Sequence, residues 1–316
     1  MNFLSLLDNA LLQGLGYGLA VAGVMLAFRV LRYPDLTPDG SFLLGSAAYA
    51  ALVVGGVHWS LALVVAFMSG ALAGLLTSLL NSAFGVNRLL TGILTAMMAY
   101  SVGYRVLGGR PNIGLGAEGT VFGAMQSLDK VESLSQLGLH AGQLLTSVLV
   151  AAVVVGIVAF LLRSEWGLVI RALGSHPRLL AELRHKPSRL QAQGLALANG
   201  LVGLAAALIV SRQGFVDINM AVGIVITLIA SLVIGEAVLR IVRIDPARSI
   251  LTRMLGVFLG AVLYFMLYIF ILRASILGWI PVEVRPTDLK LLSALAVVIA
   301  VSIRNRKSSR EEVLPF

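Results

Sequence analysis

Apolar runs close to the length of one bilayer crossing recur along almost the whole chain, and no other feature of the sequence restricts its fold as strongly. They cover residues 11–31, 42–57, 61–80, 89–107, 142–162, 190–210, 221–239, 250–272 and 289–303. In hydrocarbon every backbone N–H and C=O must be paired inside the protein, so a run of about 20 apolar residues crosses as an α-helix. The sequence therefore predicts an all-α, polytopic membrane protein with about nine transmembrane helices. Composition agrees: of 316 residues 58% are hydrophobic and 12% charged, against the ~25% charged residues of soluble domains. So few charges could not cover a water-exposed surface. Gly70 and Gly74, and Gly256 and Gly260, have the spacing that lets helices approach closely in lipid.

The net charge of +9 reads as a topology signal rather than a nucleic-acid surface, because cytoplasmic loops retain Lys and Arg. With the carboxyl-terminal tail inside, the inner side holds most of the 24 basic residues, among them Arg29, Arg32, Arg88, Arg163, Arg171, Arg178, Arg184, Lys186, Arg240 and Arg304. Arg105, Arg110, Lys130, Arg212, Arg273, Arg285 and Lys290 fall outside. An outside amino terminus and an inside carboxyl terminus follow, in keeping with an odd number of spans. Residues 1–7 lack the basic start and cleavage site of a secretory leader, so the first run is expected to remain a span. The absence of cysteine excludes disulfides and thiolate metal sites. His58, His140, His176 and His185 show no metal-ligand spacing.

The whole chain, 1–316, reads as one transmembrane domain. Span one ends in Tyr33-Pro34-Asp35-Leu36-Thr37 and span six in Phe215-Val216-Asp217-Ile218-Asn219, so an aromatic-X-Asp-aliphatic-polar pattern recurs. Because these spans run in opposite directions, the pattern points to an inverted 4+4 repeat, a common transporter plan; chance similarity of apolar segments is the competing explanation. The division is a first repeat over about 9–108, a connector helix over about 142–162, a cytoplasmic segment over 163–189, a second repeat over about 190–303 and a tail over 304–316.

Three segments could carry function. Between the first two spans, Asp35, Thr37, Asp39 and Ser41 stand among Pro34, Pro38 and Gly40. The prolines make this piece irregular. Either it is an ordinary Pro-Asp-Gly turn or it dips into the membrane, where carboxylates mark functional sites. Asp217 and Asn219 lie at the outer junction of spans six and seven, where a helix cap is the plain alternative. Glu236 is placed to pair with Arg240 one helical turn on, as a structural ion pair, with a proton carrier as the alternative. In the inner segment, Gly174 and Ser175 end one helix and Pro177 suits the first turn of another. Leu179, Leu180 and Leu183 then share a face, with Arg178, Glu182 and Lys186 on another. Such an amphipathic helix either rests on lipid headgroups or enters a groove on a partner. No phosphate-binding loop, nucleophile elbow or zinc-protease signature is present, so an enzyme is not expected, and ATP would have to be bound by another chain.

At these segments the chain resembles permeases of branched-chain amino acid type ABC importers, especially those linked to tryptophan or tyrosine uptake. The resemblance rests on Pro34-Asp35-Leu36-Thr37-Pro38-Asp39-Gly40-Ser41-Phe42, Thr91-Gly92-Ile93-Leu94-Thr95, Gly109-Arg110-Pro111-Asn112, Arg171-Ala172-X-Gly174, residues 194–201, Gln213-Gly214-Phe215-X-Asp217 and Ile234-Gly235-Glu236. It implies a dimer with a second permease copy or a paralogue, a cytoplasmic ATP-binding cassette ATPase that binds ATP and Mg, and an extracytoplasmic solute-binding protein. It also implies the bacterial inner membrane and no cofactor on this chain. The family's coupling helix maps to Gly174 through Leu183, including His176, although Ser175-His176 depart from the usual acidic residue and Asn before the proline. Asp35, Thr37, Asp39, Ser41, Asn112, Asp217 and Asn219 become candidates for the solute pathway or its gate. The alternative class is an ion-gradient-driven secondary transporter; a membrane scaffold without transport is a third reading.

Overall fold

The computed structural model describes residues 3–116, 119–124, 140–175, 186–245 and 249–277, together with single positions within 180–183 and 288–298. The α-helices longer than one turn, in chain order, are α1 (Phe3–Met25), α2 (Pro38–Val54), α3 (Trp59–Phe84), α4 (Arg88–Val106), α5 (Ala141–Arg163), α6 (Glu165–Ser175), α7 (Pro187–Gln213), α8 (Ile224–Ile241) and α9 (Ile250–Ile276). Helix α1 continues as a five-residue π-helix, Leu26–Val30. Seven of these are long and apolar enough to cross a membrane, and α2 is a shorter apolar helix. The chain is an all-α, multi-pass membrane protein. The ninth expected span, 289–303, lies outside the described residues apart from a few positions.

Local chemistry sets the helix ends. Helix α2 begins at Pro38, four residues before the apolar run suggests, because proline at the first helical position forfeits no hydrogen bond. Asn87 and Ser249 cap α4 and α9 by accepting from Leu89 N at 3.0 Å and Thr252 N at 3.0 Å. Helices α3 and α7 stop at Gly85 and Gly214, both in the left-handed conformation that glycine adopts without strain. The seventh span starts at Ile224 rather than at 221, since residues Ile218–Ala221 form a 3-10 turn first.

Helices α1 and α7 form the centre. Their best apolar windows are 67% and 83% buried within the chain, whereas the other five spans keep more than half of theirs outward. Without a hydrophobic effect between helices in lipid, close backbone packing must hold them. Helix α3 lies along α7, α9 along α1, and α2 along both α3 and α7. At Gly203 three backbones converge: a Cβ on Gly45 of α2 would strike the Gly203 main chain, and one on Gly70 of α3 would strike Asn199 O. The predicted Gly256 and Gly260 contact is also present, against Ser231 and Gly235 of α8.

Two three-residue strands close the end of the bundle opposite the α6 end. Strand β1 (Asn112–Gly114) pairs antiparallel with β2 (Phe215–Asp217), placing Asn112 opposite Asp217 and Ile113 opposite Val216. Segments this short carry no periodicity, so the sequence did not predict them.

Candidate functional site

The chain between α1 and α2 is irregular and almost wholly enclosed. Arg32 adopts φ 50, a left-handed conformation that a non-glycine residue holds only at some energetic cost. It turns the backbone from the π-helix back into the bundle. Asp35, Thr37 and Ser41 then have no exposed surface. The segment is therefore packed among helices rather than forming a solvent-exposed turn, with Gly92 of α4 so close that a Cβ there would come 2.7 Å from Leu36 N.

A buried carboxylate needs donors, and Asp35 has them. Its Oδ1 accepts from Thr37 N at 2.9 Å and its Oδ2 from Asn199 Nδ2 of α7 at 2.7 Å. Asn199 uses its second amide proton on Leu195 O at 3.1 Å, and its Oδ1 accepts from Ser41 Oγ at 2.7 Å. From Thr37 a chain of hydroxyls leads away from α7: Thr37 Oγ1 lies 2.6 Å from Thr77 Oγ1 of α3, which donates to Thr95 Oγ1 of α4 at 2.9 Å. Tyr33 OH meets Thr91 Oγ1 of α4 at 3.0 Å, and the Arg88 guanidinium stands over the Tyr33 ring, 5.4 Å from its centroid. One connected polar seam thus runs through α2, α3, α4 and α7.

Asp39 has a different task. Half-buried in the first turn of α2, it reaches across to the start of α8. Its Oδ2 accepts from Gly223 N and its Oδ1 from Val225 N, both at 2.9 Å. The positive ends of two helix dipoles therefore share one carboxylate, which offsets the unpaired N–H groups of α8.

Asp217 caps the 3-10 turn, accepting from Asn219 N at 2.7 Å. Asp35 and Thr37 make the same kind of bond between carboxylate and second-next amide. Asn112 and Asn219 are exposed, and Asp217 is half-buried opposite Asn112. The sequence-predicted residues thus form an inner set, Asp35, Thr37 and Ser41, and an outer set, Asn112, Asp217 and Asn219. Asp39 reaches from the start of α2 to the start of α8, just beyond the outer set.

Sequence reasoning did not place Asn199, Thr77, Thr91 or Thr95 in the site, although Thr91, Thr95 and Asn199 lie in stretches that carry the family resemblance. Asn199 had a signal: it is an amide in the middle of the apolar run 190–210, where a polar side chain demands a partner. Glu236 corrects an expectation. It pairs with Arg29 of the π-helix, Nε to Oε1 at 2.6 Å and Nη2 to Oε2 at 2.7 Å, and not with Arg240. The planar fork of Arg29 matches both carboxylate oxygens, whereas exposed Arg240 lies at the end of α8.

In the inner segment, α6 ends with Gly174 and Ser175. Gly174 packs on the carbonyl of Val30, leaving no space for a Cβ. Ser175 Oγ turns back to Ala172 O at 3.2 Å. Leu180 is buried, while Glu182 and Leu183 are exposed. His176, Pro177 and Leu179 lie outside the described residues.

The chain is 30% identical over 304 residues to an uncharacterized protein of Rickettsia prowazekii (strain Madrid E), covering 96% of this chain and 99% of the relative. It is 25% identical over 300 residues to a tyrosine transport system permease protein of Clostridioides difficile (strain R20291), covering 94% and 90%. No solved structure matches it. The family model described as the permease component of branched-chain amino acid transport systems matches residues 6–302. With that match running over nearly its whole length, the chain belongs to the branched-chain amino acid transport system permease family, as a multi-pass protein of the bacterial inner membrane.

Proposed function

We propose that this permease subunit moves a small solute, an amino acid or a related compound, that an extracytoplasmic binding protein delivers and that ATP hydrolysis on a separate ATPase drives. The tyrosine permease relative supports the solute class. Two copies, or this chain with a paralogue, form the membrane core, and ATP and Mg stay on the partner ATPase. The amino terminus faces outward and the carboxyl terminus inward. Supporting this, Arg29, Arg32, Arg88, Arg163, Arg171, Lys186, Arg240 and Arg253 gather at the α6 end of the bundle, against Arg105, Arg110, Arg212 and Arg273 at the other.

The inverted repeat pairs α1, α2 and α3 with α7, α8 and α9. In support, α3 packs on α7 as α9 packs on α1, and Asp35 and Asp217 make equivalent turns. On this reading Asp35, Thr37 and Ser41 form an inner gate that ties the first half to Asn199 of the second. Asp39 holds the α8 start, and Asn112, Asp217 and Asn219 lie at the outer mouth. Alternating access would separate this seam, and the segment Gly174 through Leu183, with Ser175, His176, Pro177, Leu179, Leu180 and Glu182, would receive the ATPase.

The observation that carries the proposal is the contact of Gly174 with Val30 O, two residues before Arg32 turns the chain toward Asp35. It joins the ATPase-facing segment to the gate. The test is copurification with a cassette ATPase of the source organism, with ATP hydrolysis measured in nanodiscs. Leu183→Asp, at an exposed position, is expected to weaken ATPase binding; failure of any ATPase to bind overturns the reading. A buried carboxylate such as Asp35 is a feature a gradient-driven carrier would also use. Uptake that requires an ion gradient and persists without ATPase would decide for that alternative.

A further inference from the structure

The π-helix Leu26–Val30 is the only π element among the described residues, and such turns are frequent at functional sites. Its five residues touch two separate parts of the molecule and lead into a third. Arg29 makes the bidentate bond to Glu236 of α8. Val30 O lies against Gly174 at the end of α6. Immediately after it, Leu31 N donates to Leu26 O and Tyr33 N to Ala27 O, both at 2.9 Å, and Tyr33 then leads into the Asp35 seam.

A regular α-helix would turn the Arg29 side chain and the Val30 carbonyl in different directions, because adding one residue to a turn rotates everything beyond it. Arg29 and Glu236 are 207 residues apart, yet they keep two short bonds while their side chains are 33% and 16% exposed. Breaking the pair would leave the less exposed Glu236 without its counter-charge.

We infer that Arg29 and Glu236 are positioning residues that couple the inner end of α8 to the π-turn, so that movement of the Gly174 segment displaces α8 together with α1. This rests on the importer reading above. The ion pair acts as a rigid link, and Val30 O is the point at which the inner segment pushes. Glu236 thus has a mechanical role that its position beside Arg240 on the same helix conceals.

The test uses the native absence of cysteine. Phe84→Cys and Val242→Cys, both exposed at the inner end, are spin-labelled in the permease–ATPase complex in nanodiscs. The distance between labels is measured without nucleotide and with MgATP and vanadate. A nucleotide-dependent shift is expected with Arg29 and Glu236 intact. It is lost in Arg29→Gln and in Glu236→Gln, with ATP hydrolysis retained and its dependence on the binding protein reduced about fivefold or more. The charge-swapped pair Arg29→Glu with Glu236→Arg restores the shift. A shift that survives in both single variants, or no shift in the unmodified complex, overturns the inference while leaving the importer reading standing. A chain that binds no ATPase overturns both.

Discussion

Asn199 donates to Asp35 across 2.7 Å, joining residues 164 positions apart and sealing a carboxylate that has no exposed surface. Neither side chain could remain in an apolar bundle alone. Asn199→Leu would leave Asp35 Oδ2 without its donor and Ser41 Oγ with only the longer bond to Thr37 O at 3.3 Å, at a cost of about 1–3 kcal/mol. Asp35→Asn preserves the shape and is expected to cost less than Asp35→Ala. Thermal unfolding of the purified chain in detergent ranks the three; an unchanged midpoint for Asn199→Leu would show that the seam contributes nothing to stability.

Asp39 accepts from two backbone amides at the start of α8. Asp39→Ala removes both bonds and should destabilise that helix start by about 1–2 kcal/mol, the usual effect of losing a cap. Hydrogen exchange reads it directly. The amides of Gly223 and Val225 should exchange faster in Asp39→Ala, and less so in Asp39→Asn, which keeps one acceptor.

Close packing at Gly203 gives a steric prediction. Gly203→Ala places a Cβ 2.5 Å from Ala66 O, which forces α3 and α7 apart and is expected to cost about 1–3 kcal/mol. Gly156→Ala on α5 meets nothing within 4 Å and should leave the unfolding midpoint unchanged. Equal effects at the two positions would contradict the interface described.

Orientation is tested with single cysteines in the cysteine-free chain. A membrane-impermeant maleimide added to spheroplasts should label Asn112→Cys, whereas Ser175→Cys should react only after permeabilisation. The reverse pattern would invert the topology and remove the ATPase-facing role of residues 174–183.

The spans were legible because hydrocarbon makes one demand of every residue in a crossing, and apolar runs such as 142–162 satisfy it without reference to any other part of the chain. The recurring Asp35 and Asp217 pattern was visible for a similar reason, since each Asp bonds the amide two residues later, a local geometry. Asn199 was visible as a polar interruption but its partner was not, because Asp35 reaches it only through the packing of α2 against α7. Thr77 gave no signal. A threonine can bond its own helix, as Thr77 does with Ala73 O, so its presence in a span says little about what it meets.

The sequence by itself determined a lipid-embedded helical chain with most of its basic residues toward one side, because hydrophobicity and charge act residue by residue against the solvent. Only the tertiary structure decided that Glu236 binds Arg29 rather than Arg240, that Asp39 serves α8 rather than its own loop, and that Asp35 is enclosed. Those are pairings between distant segments, and they depend on which helix faces meet and on backbones brought together at glycines such as Gly203.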